Sequence, residues 1–265
     1  MSRCNCFAAV VLVAVSYTAV AQSPARQSVD DAEIVTDRPD VTEAAVVVPK
    51  GSVQIENGFT WSLDHGSNSV DLSESLVRVG IASCTELRIG LPNYFANLAR
   101  HASSSGFQDV SFGIKEQLGP LPGNIDLAVI IASSFPTGHR GLSSGGIDPF
   151  VKLPWSKELP RGWSIGGMQS LFWSPEDRKR NITSEATIYL ERQLTKPWDV
   201  FAEYAGDYTQ RGGSRQLAHF GTAYKIAATH QLDFHFGYGL SHATPNHFFA
   251  VGYSFRLDDL WSRHR

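Results

Sequence analysis

Ionisable side chains recur at alternate positions inside otherwise apolar stretches of this 265-residue chain. They are Glu56, Arg78, Glu86, Arg88, Lys115, Asp126, Glu185, Glu191, Glu203, Lys225, Asp233, His235 and Arg256. Two chemistries fit such a set. The charges can neutralise one another in a network that fills an interior, or they can line a polar passage and select or bind a solute. With both signs present, strong anion or cation selectivity is not expected, and small neutral or amphipathic cargo is favoured. A second cluster, Asp37, Arg38, Asp40 and Glu43, precedes the first alternating stretch. Either it is a chance charge cluster in a disordered leader, or it plugs or lines such an interior by pairing with charges such as Arg78 or Arg88.

Catalysis finds little support. His219, His230, His235, His242 and His247 crowd the C-terminal part and serines are common, as an acyl-transfer enzyme would need. Yet neither G-x-S-x-G nor H-E-x-x-H occurs, and those histidines fall in different strands and loops, where most read as girdle or loop residues. Gly138–Gly146 lacks the G-K-[ST] ending of a phosphate loop. No catalytic residue, metal site or cofactor is assigned, and a formal charge of −3 argues against a nucleic-acid partner.

Those charges require elements that show one face to them and another to something apolar. Leu232, Phe234, Phe236, Tyr238 and Leu240 alternate with Asp233, His235, Gly237 and Gly239. Phe249, Val251, Tyr253, Phe255 and Leu257 likewise alternate with Phe248, Ala250, Gly252, Ser254 and Arg256. Period-two alternation in segments of about 9–11 residues marks strands with one lipid-facing side. Charged residues make up only 18% of the chain, against roughly 25% in soluble domains. Beyond the N-terminus nothing is apolar for long enough to form a spanning helix, so a membrane form must be a closed barrel without free sheet edges.

The alternation predicts an all-β fold: one antiparallel transmembrane barrel of about twelve strands. Their spans are 52–63, 72–81, 84–91, 107–117, 124–134, 147–153, 163–173, 182–192, 198–207, 216–226, 231–239 and 247–257. Long connections are expected at 64–71, 92–106, 135–146, 173–181, 208–215 and 240–246. Short turns are expected at 82–83, 119–123, 154–161, 193–197 and 227–230. Long and short mostly alternate, as outer loops and inner turns do in bacterial barrels; 154–161 is the exception.

The N-terminus reads as an export signal. Arg3 precedes an apolar run from Phe7 that closes with Ala19-Val20-Ala21, a small-x-small cleavage pattern. The expected organisation is a signal peptide over 1–21, an N-terminal segment and possible plug over 22–51, the barrel over 52–257 and a tail over 258–265.

Several short motifs, taken in order, resemble the MetA-pathway phenol-degradation family of outer-membrane, transporter-like proteins. They include Thr36-Asp37-Arg38-Pro39-Asp40 with Glu43, Gly51–Gly58, Leu76–Gly80 and Glu86-Leu87-Arg88. Gly106–Val110, Ser133–Gly138, Gly237–Leu240 and the terminal Gly252–Arg256 continue the series. The resemblance implies an outer-membrane barrel, in contact with lipid, associated with catabolism of aromatic compounds. The expected function is passive passage of a small-molecule solute, aromatic or hydrophobic; its identity and the oligomeric state are left open. A structural or binding barrel without transport is the alternative, and an outer-membrane enzyme a weaker one. A closed barrel should resist SDS until boiled, so the unboiled protein should migrate faster on gels; a single unshifted band from a soluble periplasmic fraction would sink the barrel.

Overall fold

The computed structural model describes residues 33–64, 67–99, 104–176, 179–210 and 213–261. The expected signal peptide lies outside them. The described strands, in chain order, begin with β1 (Val53–Asp64), β2 (Ser67–Leu72), β3 (Leu76–Gly80), β4 (Thr85–Gly90) and β5 (Tyr94–Asn97). They continue with β6 (Ser104–Phe107), β7 (Val110–Gln117), β8 (Ile125–Phe135), β9 (Asp148–Leu159) and β10 (Trp163–Glu176). The last are β11 (Lys179–Thr195), β12 (Trp198–Thr209), β13 (Arg215–Ala227), β14 (His230–Gly239) and β15 (His247–Leu257).

These strands make a closed, antiparallel, 12-strand barrel. Three of its staves are interrupted. Both β2 and β3 pair with β1, β4 and β5 pair with β3 and β2, and β6 and β7 pair with β5 and β4. The seam closes where β1 pairs with β15 in an unbroken register from Val53↔Leu257 to Leu63↔His247. Closure satisfies the backbone donors and acceptors of both terminal strands, the condition for a sheet in lipid.

Side chains divide by parity. On β15, Phe249, Val251, Tyr253 and Leu257 are exposed on the outer face while Ala250, Gly252, Ser254 and Arg256 are buried within. On β14 the same division separates Leu232, Phe234 and Tyr238 from Gln231, Asp233 and His235. The outer surface is therefore apolar and the inner one polar, the reverse of a soluble β-protein.

Strand ends depart from the sequence expectation in one direction: the staves are longer. The expected loop 92–106 contains β5 and part of β6, and the expected loops at 64–71 and 173–181 are largely hairpin stems. Backbone pairing continues past the lipid boundary, where an outward residue such as Asn68, opposite Leu63, no longer needs to be apolar. Residues 154–161 are not a turn. Strand β9 runs through Pro154 to Leu159, and the turn is confined to 160–162, with Arg161 and Gly162 at positive φ (65° and 72°). Pro154 has no N–H to donate, and the β8–β9 ladder skips from Leu127↔Trp155 to Ile130↔Lys152 at that point. The connection after β9 is therefore three residues, as short as an inner turn is expected to be.

Candidate functional site

Residues 33–51 contain no strand or helix and run through the inside of the barrel, touching both sides of it. At one end Ile34 N donates to Ala228 O in the β13–β14 turn (2.7 Å), and Glu33 pairs with Lys225 of β13 (3.0 Å). At the other, Val48 N donates to Glu86 of β4 (2.8 Å) and Val47 N to Gln117 of β7 (3.2 Å). The structure thus brings the Asp37–Glu43 cluster among the charges of the inner face.

One side of that face is basic. Arg78 of β3 and Lys115 of β7 are fully buried, Arg88 of β4 nearly so, and Lys152 projects from β9. Two wall carboxylates offset part of this charge. Glu56 lies 3.0 Å from Arg78, and Glu86 lies 2.9 Å from Arg78 and 2.8 Å from Arg88. The segment supplies the rest. Asp37 accepts from Arg88 (2.6 Å), Lys115 (2.9 Å) and its own segment's Ala44 N (2.8 Å), and lies 3.4 Å from Arg78. Glu43 bridges Arg88 (2.5 Å) and Lys152 (2.6 Å). Burial alone would raise the Asp37 carboxyl, but Arg78, Lys115 and Arg88 outweigh it and hold that group well below the ordinary carboxylate range. Glu43 is lowered in the same way, its burial overcome by Arg88 and Lys152.

The opposite side, β11 to β14, is mostly acidic. Glu203 of β12 accepts from Val41 N (2.7 Å), Thr42 N (2.9 Å), Thr42 Oγ1 (2.5 Å) and His219 Nε2 (2.5 Å). His219 Nδ1 in turn meets His235 Nδ1 at 3.3 Å, one ring donating to the other. Asp233 takes Arg38 at 3.4 Å, and Arg38 also pairs with Glu74 at 2.7 Å. Glu185 accepts from Ser170 and Glu191 from Ser164. Arg38 fits because two glycines face each other across the seam, Gly58↔Gly252. A Cβ at either one would collide with the Arg38 guanidinium group.

The remaining expected inner-face residues sit near the turn end. Lys225 is held by Glu33, Arg256 lies 2.7 Å from Asp258, and Asp126 lines a cavity with Asp40. That cavity, about 580 Å3, lies between the segment and the ends of β8 to β14. Sequence reasoning passed over Lys152 and His219. Lys152 lies in a weakly alternating stretch beside Pro154, although its parity between Val151 and Leu153 could have found it. His219 reads as a girdle or loop residue, but it is fully buried on the inner face of β13. No group of three or more metal-ligating side chains is placed to hold an ion among the described residues.

Residues 36–257 match the model of the family described as "Putative MetA-pathway of phenol degradation". The chain belongs to that family. Among solved structures it is similar to the COG4313 outer membrane channel from Pseudomonas putida F1, at 13% identity and a TM-score of 0.63. That match covers 83% of this chain and 99% of the other. It is also similar to the NanC porin, at 11% identity and a TM-score of 0.53, over 77% of this chain and 100% of that one. At such identities the likeness concerns the fold, which is that of outer-membrane barrels. Among curated proteins none matches this sequence.

Removing one partner of a buried ion pair typically costs about 3–5 kcal/mol. Asp37→Asn should therefore speed amide exchange across Val41–Val48 at pH 7 by roughly a hundredfold or more. In the wild type a lowered carboxyl contributes docking stability above its unfolded value and loses it as pH falls through the folded value. Since the folded value lies well below 3.8, exchange in this segment should not change through loss of Asp37 pairing between pH 7 and about 4. Unaltered exchange in the variant would show that Asp37 does not hold the segment.

Proposed function

We propose that this protein is an outer-membrane channel for small molecules whose resting lumen is closed by its own N-terminal segment. One observation carries the reading: residues 33–48 cross the interior and are bound to inward side chains on β4, β7, β9, β12, β13 and β14. An eight-stranded barrel is filled by its own side chains, whereas a ring of twelve leaves room that something else must occupy. Apolar outward residues such as Ile131, Phe220 and Phe234 support a location in lipid, and the signal-like N-terminus supports export to the outer membrane. The family description supports small aromatic or hydrophobic cargo.

The segment is a plug rather than a permanent part of the wall, because it reaches the inner face through side chains and single backbone bonds and adds no strand to the sheet. The lining comprises Glu56, Arg78, Glu86, Arg88, Lys115, Asp126, Glu185, Glu191, Glu203, Lys225, Asp233, His235 and Arg256, and the plug acts through Asp37, Arg38 and Glu43, while Asp40 faces the cavity at the turn end. In planar bilayers, deletion of Ile34–Val48 should raise single-channel conductance several-fold over the full chain. Equal conductance from the two, with both proteins still heat-modifiable on gels, would overturn the plug. No conductance from either would leave a sealed binding barrel.

A further inference from the structure

The turn-end cavity differs in character from the neutralised network above it. Its volume of about 580 Å3 falls in the range of small-ligand sites. Tyr189 and Phe201 give it an aromatic side, and Asp40, Glu191 and Asp199 an acidic one. The cations on its lining are mostly committed elsewhere. Arg38 is taken by Glu74 and Asp233, and Lys225 by Glu33. Lys157 is the one lining cation without a partner among the described residues.

Asp40 is the residue left over. Asp37 and Glu43, its neighbours along the segment, each meet two or more cations. Asp40 has no hydrogen bond or ion pair among the described residues. It is deeply enclosed by protein yet keeps some accessible surface, as a side chain facing an internal cavity does. The charged groups that act on it are themselves acidic: Glu203 of β12, Glu191 of β11 and Asp233 of β14. An enclosed carboxylate among carboxylates is costly unless a positive charge joins it. The aromatic faces beside it are the surfaces that attract an organic cation.

We propose that this cavity binds a small organic cation, an ammonium or quaternary nitrogen on an aromatic or short alkyl body, with its charge between Asp40 and Glu191 and its body against Tyr189 and Phe201. The proposal deepens the channel reading by naming a solute class, and it rests on that reading only for the ligand's being in transit. It also revises the sequence expectation of neutral or amphipathic cargo. The inner face carries both signs, but they are segregated, and the open space adjoins the acidic side.

The test is a binding titration of the full chain in detergent, read by calorimetry. Phenyltrimethylammonium is the probe, because its charge does not change with pH. Benzoate and the neutral isostere tert-butylbenzene are the comparisons. The cation should bind, and the two comparisons should bind at least about tenfold more weakly. Asp40→Asn and Glu191→Gln should each weaken the cation by roughly ten- to a hundredfold, the effect of losing a hydrogen-bonded or paired charge. Both variants are isosteric, and retained heat-modifiability would show that they fold.

Burial, and then Glu203, Glu191 and Asp233, push the Asp40 carboxyl well above its ordinary range, so a proton competes with the cation for it. Tyr189 of β11, Asp126 of β8, Lys157 and Glu158 of β9, Asp199 of β12, Lys225 of β13 and the segment's own Asp37, Arg38 and Glu43 complete the titratable and charged surroundings on the cavity lining. Affinity should therefore rise with pH in the wild type and rise less in Asp40→Asn. Equal binding of all three probes, or full affinity in both variants, would overturn the site. Conductance after segment deletion with no cation binding would overturn this proposal alone. Cation binding without conductance would uphold the site and overturn the channel.

Discussion

A sheet exposed to lipid cannot keep a free edge, and the pairing of β1 with β15 follows from that constraint. Much of the remaining structure depends on it. Closing twelve staves sets a circumference, and the circumference sets an interior too wide for inward side chains to fill. Parity along each strand gives the interior its polar residues because the outward positions must be apolar. Charges inside such a ring then need partners that the opposite wall is too distant to provide. The N-terminal segment brings those partners to them.

The lumen is organised by sign. Four cations, Arg78, Arg88, Lys115 and Lys152, stand on four of the five staves from β3 to β9, while Glu185, Glu191, Glu203 and Asp233 stand between β11 and β14. The segment matches this division residue by residue, with Asp37 and Glu43 turned to the basic side and Arg38 to Asp233 on the acidic side. Buried ion pairs add little net stability over apolar packing, but a mismatched one is heavily penalised. Their effect here is to specify a single seating. Sliding the segment by one residue would set carboxylates against carboxylates, as Asp40 already shows at one point.

How much of this was legible depended on the kind of information each feature needs. Alternation is local, so β14 and β15, with Phe234 and Val251 outward and Asp233 and Arg256 inward, could be read directly from the chain, as could the number of staves. Strand ends were read short, because the apolar signal stops at the lipid boundary whereas backbone pairing does not. Proline is a breaker in most contexts, and Pro154 was read as one, though a skipped rung in the β8–β9 ladder accommodates it. His219 was misplaced because a histidine among aromatic residues resembles an interfacial girdle. Its partner Glu203 lies on the neighbouring strand, and no local pattern announces such a pairing. The same limit applies to Lys152 with Glu43 and to Asp233 with Arg38. Parity says which way a side chain points and is silent on what it meets.

The facing glycines Gly58 and Gly252 carry a consequence for how the molecule comes together. The seat of Arg38 is made jointly by the first stave and the last. Before those two strands meet, half of that seat does not exist, and the last stave is also the last part of the barrel to be synthesised. Full docking of the segment is therefore downstream of closure, and the chain's earliest described residues are among the last to reach their final contacts. An unfinished barrel would leave Arg38 without its seat, and only the completed one can hold it.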